Sequence, residues 1–384
     1  MSLSSNWKVD RVNTKQIAVI AVVIVIIVAA AAVALMPRDG GEKKGGLYTL
    51  DADVVEVTMG GITASPKIVD SIESLYSDIY GDLVDDTLTI EDAMADTAFW
   101  DKYCTYEPMI TDNGDGTFTV VSTDGKNPVE IELGVMDKMI STSTIYLTTI
   151  YYLVCMKYGE TPYSEEALAN EALVAEYQRV VAGGTTLDYI RTNTELRDYF
   201  DADKYIDGGA NTLSNYETET LAQNIKDAGS DGSNVVLIAS GGMRASSVNL
   251  PLVDETVRAA GGQAGIFLSV TDIPEAFASI ELLGYLFGYG DYVEPMIQDL
   301  QERLYKIYYS LQNTEETHKI YWETYDGTSV RLSGMSGEIV DFFGWDDSLV
   351  TGGEVDTETI LMEKPDILIF YTNDQRSDDE KMRA

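Results

Sequence analysis

Residues 357–370 read TETILMEKPDILIF, and residues 216–240 read YETETLAQNIKDAGSDGSNVVLIAS. Each opens on Thr-Glu-Thr, continues at helical spacing and ends in a short apolar run of strand length. A strand that is apolar on both faces belongs in a parallel sheet covered by helices, so each stretch is a helix-strand unit of an α/β sheet. Two copies set far apart imply two sheet-based halves.

The surrounding sequence extends the first copy into a series. DKMISTS at 137–143 reads as a strand leading into a helix, IYLTTIYYLVCMKYG, and DADKYIDGG at 201–209 reads as another strand. A helix over 217–227, the strand NVVLIAS, a helix over 250–260 and the strand AGIFLSV follow. Such alternation predicts a parallel sheet, whose ligands bind at the carboxyl ends of the strands. Three small polar loops stand at predicted strand ends: Ser141–Thr144, Gly208–Thr212 and Ser240–Arg244. Before the series, residues 112–134 carry two alternating strand patterns joined at Asp124-Gly125, a hairpin. Its opening DNGDG is turn chemistry rather than a calcium loop, because Gly114 and Gly116 occupy positions where a calcium loop needs oxygen ligands.

A helix is predicted from Ile273 to Leu311, with Gly288–Gly290 as a point of weakness and Pro295 as the start of its second half. The alternation then resumes with KIYWETY, GEIVDFFGW and the second copy of the helix-strand unit. Ahead of the hairpin, residues 47–110 read as a small accessory α/β module with a strand DVVEVTM, a helix over 66–80 and a helical stretch TIEDAMADTAFWDKYC. MGGITASPK lacks the Gly-Lys-Ser/Thr ending of a phosphate loop.

The charge narrows the function. Twenty-six Lys and Arg against 64 Asp and Glu give −38, a field that repels nucleic acids and anionic lipid surfaces. Residues 17–36, IAVIAVVIVIIVAAAAVALM, contain no polar side chain and are long enough to span about 30 Å of hydrocarbon. Lys8, Arg11 and Lys15 precede them, which keeps residues 1–16 cytoplasmic and exports the rest. An uncleaved anchor is the favoured reading, with a signal peptide cleaved near Ala32-Val33-Ala34 as the alternative. Residues 37–46 form a charged tether.

With His318, Cys104 and Cys155 as the whole His and Cys complement, a closed zinc or copper site lacks ligands, and no metal site is assigned. His318 reads as a surface residue, and Cys155 as a buried thiol, although an exported chain leaves a Cys104–Cys155 disulfide open. No Gly-x-Ser-x-Gly elbow or histidine base supports a serine hydrolase, and catalysis is not implied.

The order and spacing of VVSTDGKNPVEIELGVMDKMIS, GGANTLSNYETETL, ELLGYLFGYGDYVEPMIQDLQERL and GEIVDFFGWDDSLVTGGEVDTETILMEKPDILIF resemble the cobalamin and iron-siderophore class (class III) of substrate-binding proteins that serve ABC importers. The resemblance covers residues 118–376. It departs from the family where DAGSDG replaces a Lys-Pro-Asp before the strand at 235, and where the chain stops at Ala384.

The resemblance implies an α/β fold of two Rossmann-like lobes, 111–272 and 314–384, bridged by one long helix, 273–313. The ligand implied is an iron-siderophore, haem or corrinoid held between the lobes, with an ABC permease and its ATPase as partners and no cofactor. It also implies permease docking by an acidic residue on each lobe, here Glu217 or Glu219 and Glu358, positions equally suited to ordinary helix-dipole partners.

Ser143, Thr144, Asn211, Ser240, Met243 and Arg244 are the candidates for one cleft wall, and Trp322, Tyr325 and Met335 for the other. Arg244 suits an anionic group on a ligand or an ion pair with a carboxylate. The aromatics suit a flat macrocycle or the core. A two-lobed surface sensor or adhesion protein without transport is the alternative function.

Overall fold

The computed structural model describes residues 57–59, 62–64, 85 and 87–370, apart from 124–127, 194, 211–212, 214–215, 241–248, 313–316, 325–327, 330–334, 347–348 and 350–356. The predicted anchor, the tether and the helix over 66–80 lie outside these residues. Among the described residues no helix is long and apolar enough to cross a membrane.

A short hairpin, β1 (Val57–Met59) and β2 (Ile62–Ala64), comes first. The stretch TIEDAMADTAFWDKYC forms α1 (Ile90–Ala95), a single turn α2 (Thr97–Phe99) and a π-helical turn, Trp100–Cys104. Thr89 and Asp92 cap α1 reciprocally, as a capping box should. Ala93, Phe99, Tyr103 and Cys104 from this stretch are buried in the main core, where Phe99 meets the rings of Tyr305 and Tyr308 at 5.0 Å.

Strands β3 (Ile110–Asp112), β4 (Thr117–Ser122) and β5 (Val129–Gly134) form an antiparallel sheet, one strand more than the predicted hairpin. The DNGDG segment is its turn: Asp112 accepts from the Gly114 N–H at 2.7 Å and Asp115 from the Thr117 N–H at 3.0 Å.

The main sheet is parallel and contains β6 (Lys138–Ser141), β7 (Val181–Thr185), β8 (Ile206–Ala210), β9 (Val235–Ser240) and β10 (Ala264–Leu268), in the spatial order β10-β9-β6-β7-β8. Alternation along each strand divides its side chains between two cores. Met139, Val236, Ile238, Ile266 and Leu268 face the larger one. Ile140, Leu237, Ala239 and Phe267 face the smaller one. Helices α7 (Thr218–Ala228) and α8 (Leu250–Ala259) cover the smaller core through Leu221, Ile225 and Val257.

The larger core is built around α3 (Thr144–Tyr158), which is buried from Thr144 through Cys155. A helix apolar all round can only be central. Its polar atoms are satisfied locally: the Thr148 and Thr149 hydroxyls donate back to the carbonyls of Thr144 and Ile145. The Tyr151 hydroxyl donates to that of Tyr199 at 2.6 Å. Gly159, at φ +70°, ends the helix in the left-handed conformation. In chain order, helices α4 (Glu165–Ala169) and α5 (Glu171–Val180) come between β6 and β7, and α6 (Leu187–Asn193) between β7 and β8; all three add side chains to the larger core.

The helix predicted over 273–311 is two helices, α9 (Ile273–Leu286) and α10 (Gly290–Gln312). The break falls at the glycines, with Gly288 at φ +77° and the Tyr289 N–H bonded to the Gly284 carbonyl. Pro295 stands inside α10 rather than at its start, where the proline ring removes a single backbone donor near the helix's first turn.

A second small sheet follows, in the order β12-β11-β13, with β11 (Ile320–Thr324) parallel to β13 (Ile367–Phe370) and antiparallel to β12 (Thr328–Ser329). Helices α11 (Met335–Phe343) and α12 (Thr357–Glu363) accompany it. Both helix-strand units that opened the sequence therefore occur, as α7–β9 in the large sheet and α12–β13 in the small one. The chain is a mixed α/β protein with a parallel sheet.

Candidate functional site: the carboxyl ends of the central strands

The sheet order runs outward in both directions from β6, with β7 and β8 on one side and β9 and β10 on the other. The helices that follow β6 and β9 lie on opposite faces of the sheet, α3 in the larger core and α8 over the smaller one, and the place beyond the carboxyl ends of these two paired strands is the crevice of an open parallel sheet. Ser141 ends β6 and Ser240 ends β9, which brings the first residues of two of the three predicted loops to this one point.

The floor of the crevice is lined with hydroxyl groups. Ser141, Thr142, Ser143, Thr144, Thr185 and Ser269 are all buried, and Ser240 is half-buried. Ser141 Oγ donates to the Ser143 carbonyl at 3.0 Å and accepts from the Ser143 N–H at 3.2 Å, which folds 141–143 into a tight turn. Thr185 Oγ1 donates to the Ser141 carbonyl at 3.2 Å, and Tyr205 donates to the Thr185 carbonyl at 2.7 Å. Gly184, at φ +132°, lies so near Ser141 that a Cβ there would overlap the Ser141 carbonyl oxygen. Burial raises the Tyr146 phenol above its ordinary value, and its hydroxyl donates to the Leu268 carbonyl at 3.3 Å.

Ser143 and Thr144 stand together at the start of α3, whose Tyr146 is the residue that meets the Ser240 side chain. Asn211, Met243, Arg244 and Tyr325 lie outside the described residues, as do the side chains of Met335 and Glu358. Trp322 is 8% exposed and packs among Ile320, Val340, Trp345 and Ile367. It belongs to the core of the small sheet, a correction to its reading as a cleft-facing ring. Glu217 and Glu219 are exposed at the start of α7, and Glu217 makes no capping hydrogen bond.

Cys104 and Cys155 are separate buried free thiols, each pushed up to about 12 by burial. His318 is half-buried, and its backbone carbonyl accepts from the Asp346 N–H at 2.8 Å just before β11 begins.

Sequence reasoning missed Thr185 and Ser269 on the floor. Ser269 directly follows the recognised strand β10 and is findable by the same rule that selected Ser240. Thr185 is hidden because β7, VAGGT, carries too few side chains to read as a strand. Also missed is Glu338 of α11, whose carboxylate accepts from the Ile273 N–H at 2.6 Å and so joins the small sheet's helix to the start of α9. Burial pushes its pKa up to about 7. A separate depression of ≈ 230 Å³ lies between the end of α10 and α11, lined by Lys102, Tyr103, Tyr308, Gln312, Asp341 and Phe343. None of the predicted site residues borders it.

No protein-family model matches the chain, and no curated protein does. Solved structures do. The petrobactin-binding protein of Bacillus subtilis is 18% identical, with 66% of this chain covering 76% of that one at a TM-score of 0.44. The triscatecholate siderophore-binding protein of Bacillus subtilis is 15% identical, with 66% of this chain covering 75% of that one at 0.41. The periplasmic haem-binding protein of Vibrio cholerae is 12% identical, with 61% of this chain covering 76% of that one at 0.38. At TM-scores below 0.5 these likenesses carry no argument, and function is argued from the chain's own geometry.

Proposed function

We propose that the chain is a membrane-tethered, exported binding protein of the class III type. It would capture an iron chelate, a haem or a corrinoid between two α/β lobes and deliver it to an ABC permease. The observation that carries the proposal is the pairing of the crevice with the helix that leaves its lobe. The hydroxyl groups gather at the carboxyl ends of the paired strands β6 and β9 on one sheet, and a second, separate sheet begins eight residues after α10 ends. At 1.5 Å per residue the 23 residues of α10 make a rod of about 35 Å, long enough to set two lobes at a fixed separation. A floor of hydroxyl groups suits a chelate whose periphery carries polar oxygen atoms.

Delivery would use Glu217 or Glu219 on the first lobe and Glu358 on the second against arginines of the permease. The exposed placement of the first two supports that role. Docking by carboxylates also agrees with a chain whose net charge is −38. No feature of the fold favours the sensor or adhesion reading.

The test is a titration of the full chain, held in mild detergent, with ferric catecholate, ferric hydroxamate, haem and cobalamin, followed by tryptophan fluorescence. One of the four classes is expected to bind with a Kd at or below about 1 μM. Silence toward all four overturns the proposal.

A further inference from the structure

Among the described residues no side chain caps the start of helix α3, which stands at the crevice. Ser143 has the extended backbone of an N-cap residue, φ −130° and ψ 130°, and it is of the residue type that caps most readily. Yet it makes no capping hydrogen bond. Its hydroxyl has no partner at all among the described residues, although the residue is 3% exposed. Thr142, Thr144, Ile145 and Tyr146 around it are buried as well. The amide N–H groups of a helix's first turn have no acceptors within the helix, and burying such an end without water, a side chain or a ligand is costly. Fifteen residues of aligned peptide dipoles add about half a positive charge at the same point.

From the coincidence of an uncapped buried helix end, an unpartnered buried hydroxyl and the strand-order reversal, we infer that this corner receives one acidic oxyanion group of the cargo, a carboxylate by chemistry. The backbone N–H groups of the first turn and Ser143 Oγ–H are its donors. The inference rests on the binding-protein reading for its cargo, though the oxyanion corner itself does not. One nearby charge opposes an anion here: the Glu275 carboxylate, which acts on Tyr146 and is held by the Thr271 N–H at 2.6 Å and the Thr271 hydroxyl at 2.8 Å. No lysine or arginine side chain among the described residues is needed, which suits a protein as acidic as this one.

The experiment compares full-length protein, Ser143→Ala and Ser143→Asp in detergent at pH 8 and constant ionic strength. Ser143→Asp places a carboxylate in the corner covalently. Its thermal midpoint should exceed that of Ser143→Ala by about 3 °C or more, as a satisfied N-cap does. If the corner does not accept an oxyanion, the introduced carboxylate would be a buried unpaired charge. The midpoint of Ser143→Asp would then fall below that of Ser143→Ala, which overturns the inference. Sodium acetate should raise the midpoint of the wild type, and Ser143→Asp should be insensitive to it. A response to inorganic phosphate with none to acetate overturns the carboxylate assignment.

The chelate titration is run beside these measurements on the same variants. No chelate binding together with a stabilised, acetate-insensitive Ser143→Asp sinks the transport reading and leaves the corner standing. Chelate binding left unchanged by Ser143→Asp sinks the corner as a cargo contact and leaves the transport reading standing.

Discussion

Glu338→Gln isolates the contact between α11 and the first turn of α9. Glu338 accepts the Ile273 N–H at 2.6 Å, with Asp272, Glu275 and Lys102 acting on it electrostatically. Burial is the main cause of its rise from an ordinary 4.5 to about 7, followed by the opposing hydrogen bond from Ile273 and then repulsion from Asp272. Undiminished, that gap corresponds to about 3.4 kcal/mol, and because the residue is only half-buried, screening by water reduces it to about 1–2 kcal/mol.

The sign follows from proton binding. Below pH 4.5 the side chain is protonated in both the folded and the unfolded chain, and its full contribution is present. Between 4.5 and about 7 the unfolded chain ionises first, so the folded state loses stability as pH rises; above that the loss is constant. Glutamine keeps an oxygen for the Ile273 N–H and cannot ionise. Glu338→Gln should therefore match the wild type at pH 4 and exceed it by about 1–2 kcal/mol at pH 8. Urea unfolding of both proteins at half-unit steps from pH 4 to 8 measures the difference. A difference that stays flat across the range, or a glutamine variant less stable at pH 8, refutes the reasoning.

Three further outcomes follow from packing. Gly184→Ala forces a Cβ onto the Ser141 carbonyl at a positive φ, and should cost about 3 kcal/mol or more and weaken any crevice ligand, read by thermal unfolding and the chelate titration. Phe99→Ala should cost about 3–5 kcal/mol in urea unfolding, because its ring is wholly buried against Tyr305 and Tyr308; a loss below about 1 kcal/mol would mean that residues 90–104 do not share the main core. Cys104 and Cys155 should both resist iodoacetamide at pH 8 in the folded protein and both react after unfolding, counted by mass spectrometry, since each is buried with its thiol pushed up to about 12.

What can be read from residues alone is the repeated helix-strand unit, because strands such as VVLIAS are apolar on both faces and alternate with helical patterns, which together point to a parallel sheet covered by helices. The crevice is legible for the same reason: Ser141–Thr144 and Ser240 follow such strands directly. Strand β7 is not, since Gly183 and Gly184 replace the side chains that would show its period, and they are glycines because neighbouring strands approach too closely for a Cβ. The segment from 165 to 193 is illegible with it, because α5 passes into β7 at Val180–Val181 without a turn residue. Trp322 illustrates the opposite failure. An aromatic near a predicted strand end suits a cleft or a core equally, and only the neighbours Val340 and Trp345, remote in sequence, decide for the core. Neither Ser143's missing partner nor the reach of Glu338 to Ile273 has any local signature, since both depend on what long-range packing brings near.

The central claim is the proposal that a metal chelate binds between the lobes, against the carboxyl ends of β6 and β9. Crystals of the full chain grown with whichever ferric chelate it retains, measured at the iron absorption edge, locate the metal directly. The account predicts an anomalous peak beyond Ser141 and Ser240, on the side of the sheet edge where α3 begins. A peak at the opposite edge of the sheet, or in the depression beside Lys102 and Asp341, would contradict it.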